Sequence, residues 1–288
     1  MFYEDLHYQS RFAAGWRTSA STLGGGGLIA TERLRIFLSR AEDNTVVDNT
    51  VVGGLDPQME GAIETLLADR PSFHAWPDGR PANWSVAPAV LRFLVEQLEP
   101  GMSTLETGAG QTTAAFVIAG THHVAVTPDA AQAERIEKYL DGLGIERDLK
   151  FVLESSDTAL PAGRGIPDRL DFVFIDGAHR FPFPILDWYY TQERVPVGGM
   201  LAIDDFIMPS VRILYDFLLS EDDWELVQAF QVTAFFRRVG ARENLWDWAD
   251  QKINKPHLDM VKKKAERERR LQKQSFPFIT WLRSREKD

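Results

Sequence analysis

Residues 103–110 read STLETGAG, a short strand that runs into a tight turn with two glycines. Glycine lets a backbone turn sharply and approach a ligand closely. Two later apolar strands stop at Asp176 and at the pair Asp204-Asp205. In an open α/β sheet, ligands sit in the crevice outside the carboxyl ends of the strands. The pattern therefore predicts a ligand site at one edge of a sheet, and an enzyme.

Short apolar runs alternate with helical patterns from Pro88 to Val239, which is typical of βαβ units around a parallel sheet. The predicted strands are Ser103–Glu106, His123–Val126, Lys150–Leu153, Leu170–Ile175, Met200–Ile203, Trp224–Val227 and Thr233–Val239. The last two are expected to close the sheet as an antiparallel pair. The predicted fold class is α/β, a doubly wound, mostly parallel seven-stranded sheet.

We divide the chain into three regions on this basis. Residues 1–87 form an N-terminal helical or irregular segment, a lid or substrate region; residues 88–240 form the α/β domain; residues 241–288 form a basic helical tail. The first region contains helical patterns near Thr31–Arg40 and Gln58–Asp69, a valine-rich stretch at Thr45–Val52 and a glycine run at Gly24–Gly27. A linker explains the glycine run better than a phosphate-binding loop, because no Lys-Ser/Thr follows it.

Composition narrows the classes of function. The 288 residues are 44% hydrophobic and 26% charged, as in globular proteins. No cysteine is present, so any metal site must use oxygen or imidazole, and a reducing compartment fits. The chain has no apolar run near the roughly 20 residues of a membrane span and no signal-peptide pattern, so we expect a cytoplasmic protein without a membrane partner.

Charge is unevenly distributed. The chain carries 32 Lys/Arg and 42 Asp/Glu; residues 250–288 hold 12 and 6 of them, which leaves 20 and 36 in the rest, a net charge of −16. An acidic body argues against nucleic acid as a partner. The basic tail, Gln251–Lys273, is either a solvated helix or a segment that docks on its own body or on a second subunit, anchored by Phe276, Phe278, Ile279 and Trp281.

The sequence around the glycine turn favours a cationic ligand over a dinucleotide. A dinucleotide fingerprint needs a third glycine where Thr113 stands, so a nicotinamide cofactor loses support. Glu106 before the turn favours a cationic ligand, an ammonium or a sulfonium. The predicted cofactor contacts in this segment are Glu106, Thr107, Gly108, Ala109, Gly110 and Thr112.

With ETGAG at 106–110, LDFVFIDGAH at 170–179 and GGMLAIDD at 198–205, the chain resembles the class I S-adenosylmethionine-dependent methyltransferases, with their Rossmann-like fold. Among them it is similar to the metal-dependent small-molecule O-methyltransferases of the catechol and macrolide-sugar types. The resemblance covers roughly residues 84–239. It implies that Asp176, Asp204 and Asp205 hold a magnesium ion and that His179 takes the proton of the substrate, with Asp176 beside it in catalysis and cofactor binding.

The proposed chemistry also follows from the residues. A hydroxyl with a pKa of about 10 is mostly protonated at neutral pH, which makes it a poor acceptor of a methyl group. A hard dication or a histidine base lowers the barrier to methyl transfer because it helps to remove the proton. Each residue also has a structural explanation: Asp176-Gly177 as a turn, Asp205 as a helix cap and His179 as a hydrogen-bonded structural residue. Asp204 and Asp205 can share a metal only if the strand has already ended.

Two more strand ends bear on the cofactor. Ser156 and Asp157 follow the third strand, where the resemblance places contacts to adenine. The second strand ends at Thr127 rather than at the acid usual in this family, and Asp129 is the nearest carboxylate. Thr127-Pro128-Asp129 also reads as N-cap, first residue and first-turn acid of a helix. Both Thr127 and Asp129 are candidate cofactor contacts.

We therefore predict an O-methyltransferase that uses S-adenosylmethionine, with magnesium assistance, on a small hydroxylated molecule, as a possible homo-oligomer. The alternatives are a metal-independent methyltransferase with His179 as base, and a non-catalytic binding protein on the same fold. The aromatic residues Phe181, Phe183, Trp188, Tyr189, Tyr190 and Phe206 are expected to be mostly core, with one or two of them and Trp84 lining an acceptor pocket.

Overall fold

The computed structural model describes residues 57–76, 78–241 and 247–285, with side chains as far as residue 271. All of these residues belong to one compact unit, which spans residues 52–288. The predicted patterns at Gly24–Gly27, Thr31–Arg40 and Thr45–Val52 lie outside the described residues. The predicted helix at Gln58–Asp69 is confirmed as Pro57–Asp69.

Nine strands lie in the described part of the chain. Two short ones, β1 (His74–Ala75) and β2 (Pro81–Ala82), pair antiparallel. The others are β3 (Ser103–Thr107), β4 (His122–Val126), β5 (Asp148–Val152), β6 (Phe172–Ile175), β7 (Met200–Ile203), β8 (Trp224–Ala229) and β9 (Ala234–Arg238). They form one sheet in the order β5-β4-β3-β6-β7-β9-β8. The pairs from β5 to β7 are parallel, whereas β9 is antiparallel to both β7 and β8.

Eight α-helices accompany the strands in the described residues. They are α1 (Pro57–Asp69), α2 (Pro88–Glu96), α3 (Gln111–Ile118), α4 (Ala130–Leu143), α5 (Ser156–Ala162), α6 (Phe183–Thr191), α7 (Pro209–Ser220) and α8 (Lys255–Arg285). The first four contribute to the hydrophobic cluster that includes Phe116 and Phe174, and α5 to α7 to the cluster that includes Leu105 and Ile175. Helices thus cover both faces of the sheet, and the predicted doubly wound fold is confirmed.

Helix α3 shows why the sequence folds this way. All eight of its residues are buried, because the helix packs against the sheet on one side and against α1 and α2 on the other. Its residues from Ala114 to Ile118 are all apolar, as expected for a helix without a solvent-facing side. It places its N-terminus directly behind the glycine turn, which is the start of the ligand crevice.

The predicted start of α4 needs a correction. Its N-cap is Asp129, not Thr127, and the helix begins at Ala130. Asp129 has an extended backbone, and its carboxylate accepts a hydrogen bond from the backbone N–H of Gln132 at 2.9 Å. Asp129 is the N-cap because its side chain accepts a hydrogen bond from a first-turn N–H that has no acceptor within the helix.

The basic tail is helical, as predicted, and begins with a 3-10 turn at Lys252–Asn254 before α8. The Ile253 N–H donates to Glu221 at 3.3 Å, which ties this turn to the end of α7. Most side chains of α8 up to Leu271 are exposed. The predicted anchor residues from Phe276 onward lie beyond the described side chains. Among the described helices, none combines the length and the apolar character needed to cross a membrane.

Candidate functional site at the carboxyl ends of the strands

The glycine turn brings the ends of β3 and β6 into contact. Gly108 has φ +94°, a conformation that favours glycine, and a Cβ at this position would collide with the carbonyl oxygen of Asp176. The Asp176 N–H in turn donates to the Thr107 carbonyl at 3.0 Å. Only glycine allows this close approach, so the predicted turn and the predicted acidic strand end belong to one site.

Glu106 lies behind the turn rather than in the crevice. Its carboxylate is completely buried and accepts hydrogen bonds from the hydroxyls of Thr112, at 2.7 Å, and Thr113. The Nε2 atom of buried His123 lies 3.3 Å away. Because adjacent residues of a strand point to opposite faces, Glu106 faces α3 while Thr107 faces the other side of the sheet. The structure thus gives Glu106 buried hydrogen-bond partners at the start of α3.

The second group of acids surrounds His179. The imidazole Nε2 lies 3.4 Å from Asp176 Oδ1, and Nδ1 lies 3.5 Å from Asp205 Oδ2. We call Asp176, His179, Asp204 and Asp205 the acid–imidazole cluster. Ser210 donates a hydrogen bond to the backbone carbonyl of His179, which ties this loop to the start of α7.

The two aspartates after β7 play different parts. Strand β7 ends at Ile203, which is the condition under which Asp204 and Asp205 can face one site. Asp205 has φ +54°. Asp204 is buried and accepts a hydrogen bond from the hydroxyl of Thr233, the residue before β9. Asp205 is partly exposed and faces His179. Sequence reasoning missed Thr233 and Ser210, because both reach the cluster only through tertiary contacts.

Mutual repulsion and burial shift the ionisation of the cluster. Burial and the neighbouring charge of Asp204 raise the pKa of Asp176 to about 8, although His179 opposes the shift. Burial also raises the pKa of Asp204, against the hydrogen bond from Thr233. For His179, burial lowers the pKa, but the hydrogen bond and charge of Asp176, together with the charges of Asp205 and Asp204, outweigh it and raise the pKa. The surroundings therefore favour the protonated forms of Asp176, Asp204 and His179.

The acid–imidazole cluster meets one requirement of a magnesium site and fails another. Carboxylate oxygens are the donors that magnesium prefers. However, the His179 ring lies between Asp176 and Asp205, with one nitrogen facing each carboxylate. Within residues 57–76, 78–241 and 247–285, no group of three or more His, Cys, Asp or Glu residues is arranged to hold a metal ion. The donor chemistry fits magnesium, whereas the arrangement of these side chains does not.

The ends of β4 and β5 complete the crevice. The buried Thr127 hydroxyl donates to Gln132 Oε1 at 3.2 Å, and Gln132 Nε2 donates to the Ala109 carbonyl at 2.7 Å and to His74 Nδ1 at 2.9 Å. A side-chain bridge thus joins the second strand end to the glycine turn. No motif in the sequence indicates Gln132 or His74. Ser156 is buried at the first residue of α5, and its neighbour Asp157 is exposed.

The aromatic residues near the crevice divide as expected. Phe183, Trp188 and Phe206 are buried in the core, whereas Phe181 and Tyr189 are exposed. Trp84 is exposed and contacts the rings of His74, at 5.1 Å between centroids, and Trp76, at 5.3 Å. The His74 Nε2 atom would lie 3.5 Å from a Cβ on Gly110. The β1–β2 hairpin therefore places aromatic side chains beside the glycine turn.

Part of the chain is similar to a known protein family. Residues 100–206, from the start of β3 to the acid–imidazole cluster, match the family model described as a methyltransferase domain. This part of the chain is a methyltransferase domain. With the sheet order of the fold, the match confirms the predicted class I S-adenosylmethionine-dependent methyltransferase. No curated protein matches the methyltransferase chain.

Solved structures of methyltransferases are similar in outline. An O-methyltransferase from Bacillus cereus is 13% identical, with 71% of this chain and 97% of that chain covered at a TM-score of 0.47. The O-methyltransferase TomG from Streptomyces achromogenes is 15% identical, with 72% and 96% covered at 0.45. A methyltransferase from Geobacter sulfurreducens is 15% identical, with 73% and 97% covered at 0.46.

Proposed function

We propose that this methyltransferase moves the methyl group of S-adenosylmethionine to an oxygen of a small hydroxylated acceptor, with His179 as the base. The observation that carries the proposal is the position of His179, between Asp176 and Asp205 at the carboxyl ends of β6 and β7. The match to a methyltransferase domain supplies the cofactor class. The acceptor is a small molecule, because the acidic body does not suit a phosphate backbone.

The chemistry of the site follows from the acceptor. S-adenosylmethionine supplies an electrophilic methyl group on a sulfonium when it is bound. The acceptor oxygen forms the new bond to that carbon while the carbon–sulfur bond breaks, and its proton must leave. Nε2 of His179 is buried and faces Asp176, so Nδ1 takes the proton. The charge of Asp205 beside Nδ1 then stabilises the imidazolium, and Asp176, with its pKa of about 8, adds to this effect in its ionised form.

The proposed cofactor contacts lie along the crevice. The glycine turn Gly108–Gly110 can approach the cofactor closely because it carries no side chain at its two glycines. Thr127 and Asp129 lie after β4, and Ser156 and Asp157 lie after β5. Asp176 adjoins the turn through its backbone. These positions follow the carboxyl edge of the four adjacent parallel strands β5, β4, β3 and β6, which is where ligands bind in this fold class.

Metal-assisted transfer is the second form of the proposal, and the three carboxylates at Asp176, Asp204 and Asp205 favour it. Carboxylate oxygens suit magnesium chemically, but their arrangement around the His179 ring does not fit the ion, and the transfer with His179 as the base does not use it. The position of the His179 ring favours the metal-independent form. We expect turnover to be unchanged by EDTA, while loss of turnover that magnesium restores would establish the metal-assisted form.

Calorimetric titration with S-adenosylmethionine tests the cofactor class first. We expect saturable binding, and a flat titration at saturating concentrations would overturn the enzyme assignment in favour of a non-catalytic protein. A panel of phenols, catechols and sugar alcohols, assayed with cofactor labelled in the methyl group, then identifies the acceptor. Label in a methyl ether supports transfer to oxygen, while label on nitrogen or sulfur acceptors alone would refute it.

A further inference from the structure

Asp187 on α6 carries a carboxyl group that the proposed chemistry does not use. Its side chain is only 1% exposed, and neither carboxyl oxygen makes a hydrogen bond of standard geometry to the described residues. The hydroxyl of Thr107 is likewise buried and without a hydrogen bond in the described part of the chain. Buried polar groups are nearly always paired, because an unpaired one is costly. The carboxyl of Asp187 therefore needs an explanation.

The position of Asp187 connects two cofactor segments. The hydroxyls of Ser156 and Thr107 face its carboxyl. Thr107 is the last residue of β3, immediately before the glycine turn, and Ser156 is the first residue of α5. Helices α5 and α6 pack against each other, which brings Asp187 between these two points. One side chain thus adjoins both the turn and the segment proposed to contact adenine.

The electrostatics show that the arrangement opposes stability. Burial raises the pKa of Asp187 to about 6, and the charge of exposed Asp157 contributes to the shift, while the Ser156 and Thr107 hydroxyls oppose it. At neutral pH the folded protein therefore keeps a buried negative charge with poorly aligned donors. A group that destabilises the fold but persists at a ligand crevice is typical of functional sites.

We propose that Asp187 is a positioning residue of the cofactor site, whose carboxylate accepts hydrogen bonds from Thr107 and Ser156 and so holds the glycine turn against the start of α5. The inference rests on the proposed function, since the two segments it joins are proposed cofactor contacts. Asp187 itself does not touch the reacting atoms. The alignment of the two hydroxyls would be completed when the cofactor orders both segments.

Replacement of Asp187 by asparagine tests the role, because the amide keeps the shape and loses the charge. The Kd of S-adenosylmethionine is measured by calorimetry from pH 5.5 to 8, and Tm is measured without cofactor. Glu146→Gln, at an exposed position, is the matched control. Thr107→Val, alone and combined with Asp187→Asn, tests whether the two side chains act together.

We expect Asp187→Asn to raise Kd about 10-fold at pH 7.5, the effect of roughly one charged hydrogen bond, while Tm stays equal or rises. The wild type should lose affinity as pH falls through about 6, and Asp187→Asn should lack this component. Thr107→Val should add little in the double variant.

Equal Kd values for Asp187→Asn and the wild type, or a pH dependence identical in both, would overturn the inference and leave the proposed function intact. A fall in Tm that accompanies the weaker binding and accounts for it would also overturn it, because the role would then be structural. No binding by the wild type would overturn the proposed function itself, and this inference with it.

Discussion

Two groups of acids stand at strand ends in this protein, and they have opposite environments. Glu106, the fourth residue of β3, is completely buried, with threonine hydroxyls on both oxygens and His123 beside it. Asp176 and Asp205 after β6 and β7 are partly exposed and face His179. An acid within a strand is therefore a structural acid here, and an acid just beyond a strand end is a chemical acid. What separates them is the position along the strand, because Glu106 lies level with Phe174 of β6 and binds α3, whereas Asp176 lies two residues past Phe174.

The largest effect is expected at His179. His179→Gln should lower kcat by about 10²- to 10⁴-fold, the range for loss of a general base, while the Kd of S-adenosylmethionine changes by less than about 3-fold. Steady-state kinetics and calorimetry measure the two quantities. His122→Gln is the control, since His122 pairs with Asp148 on the surface at the opposite end of β4. Full activity of His179→Gln would remove the base from the mechanism.

The structural acid should respond in stability. Glu106→Gln should lower the free energy of unfolding by about 1–3 kcal/mol, because the amide leaves the buried hydroxyls and His123 with poorer partners. Urea denaturation measures the change, with Glu146→Gln as the exposed control. A variant with unchanged stability but much weaker cofactor binding would reverse the comparison and make Glu106 a ligand contact.

Asp176, the chemical acid, should affect stability in the opposite direction to Glu106, so that its replacement stabilises the protein at high pH. The pKa of Asp176 is about 8 in the folded protein, above its ordinary value of 3.8, so the folded state binds more protons between these values. The contribution of Asp176 to stability is therefore lost as pH rises from about 4 to 8. Asp176→Asn should remove this loss and be more stable than the wild type at pH 8, by about 1 kcal/mol or more. Urea denaturation at several pH values tests this, and equal pH profiles would contradict it.

The smallest effect is expected at Asp129, which lies in the loop after β4 and caps α4. Asp129→Ala removes the N-cap of α4 and should cost about 1 kcal/mol or less of stability, since the Gln132 N–H loses its acceptor. Thermal denaturation measures the role of Asp129 as a helix cap, and cofactor titration measures its role as a cofactor contact. A 10-fold weaker Kd without a change in Tm would show that Asp129 is a cofactor contact and not only a cap.

Much of this molecule follows from local patterns. Apolar runs such as Leu170–Ile175 predict buried parallel strands because both faces of the sheet are covered. The glycines of the turn indicate close backbone contact, and Gly108 makes it with Asp176. The N-cap of α4 was misplaced by two residues because Thr127 and Asp129 both suit a cap, and local sequence does not choose between them.

The amino-acid order alone establishes the strand series, the glycine turn and the acids that follow the strands, because strand, turn and helix signals are short-range. Tertiary packing decides what each acid does. It buries Glu106 under α3, sets His179 between Asp176 and Asp205, and places Asp187 against Thr107 and Ser156. These outcomes depend on the direction of single side chains and on neighbours that are far away in sequence. The carboxyl group is the same in Glu106, Asp176 and Asp187, and only its surroundings in the folded protein set its charge.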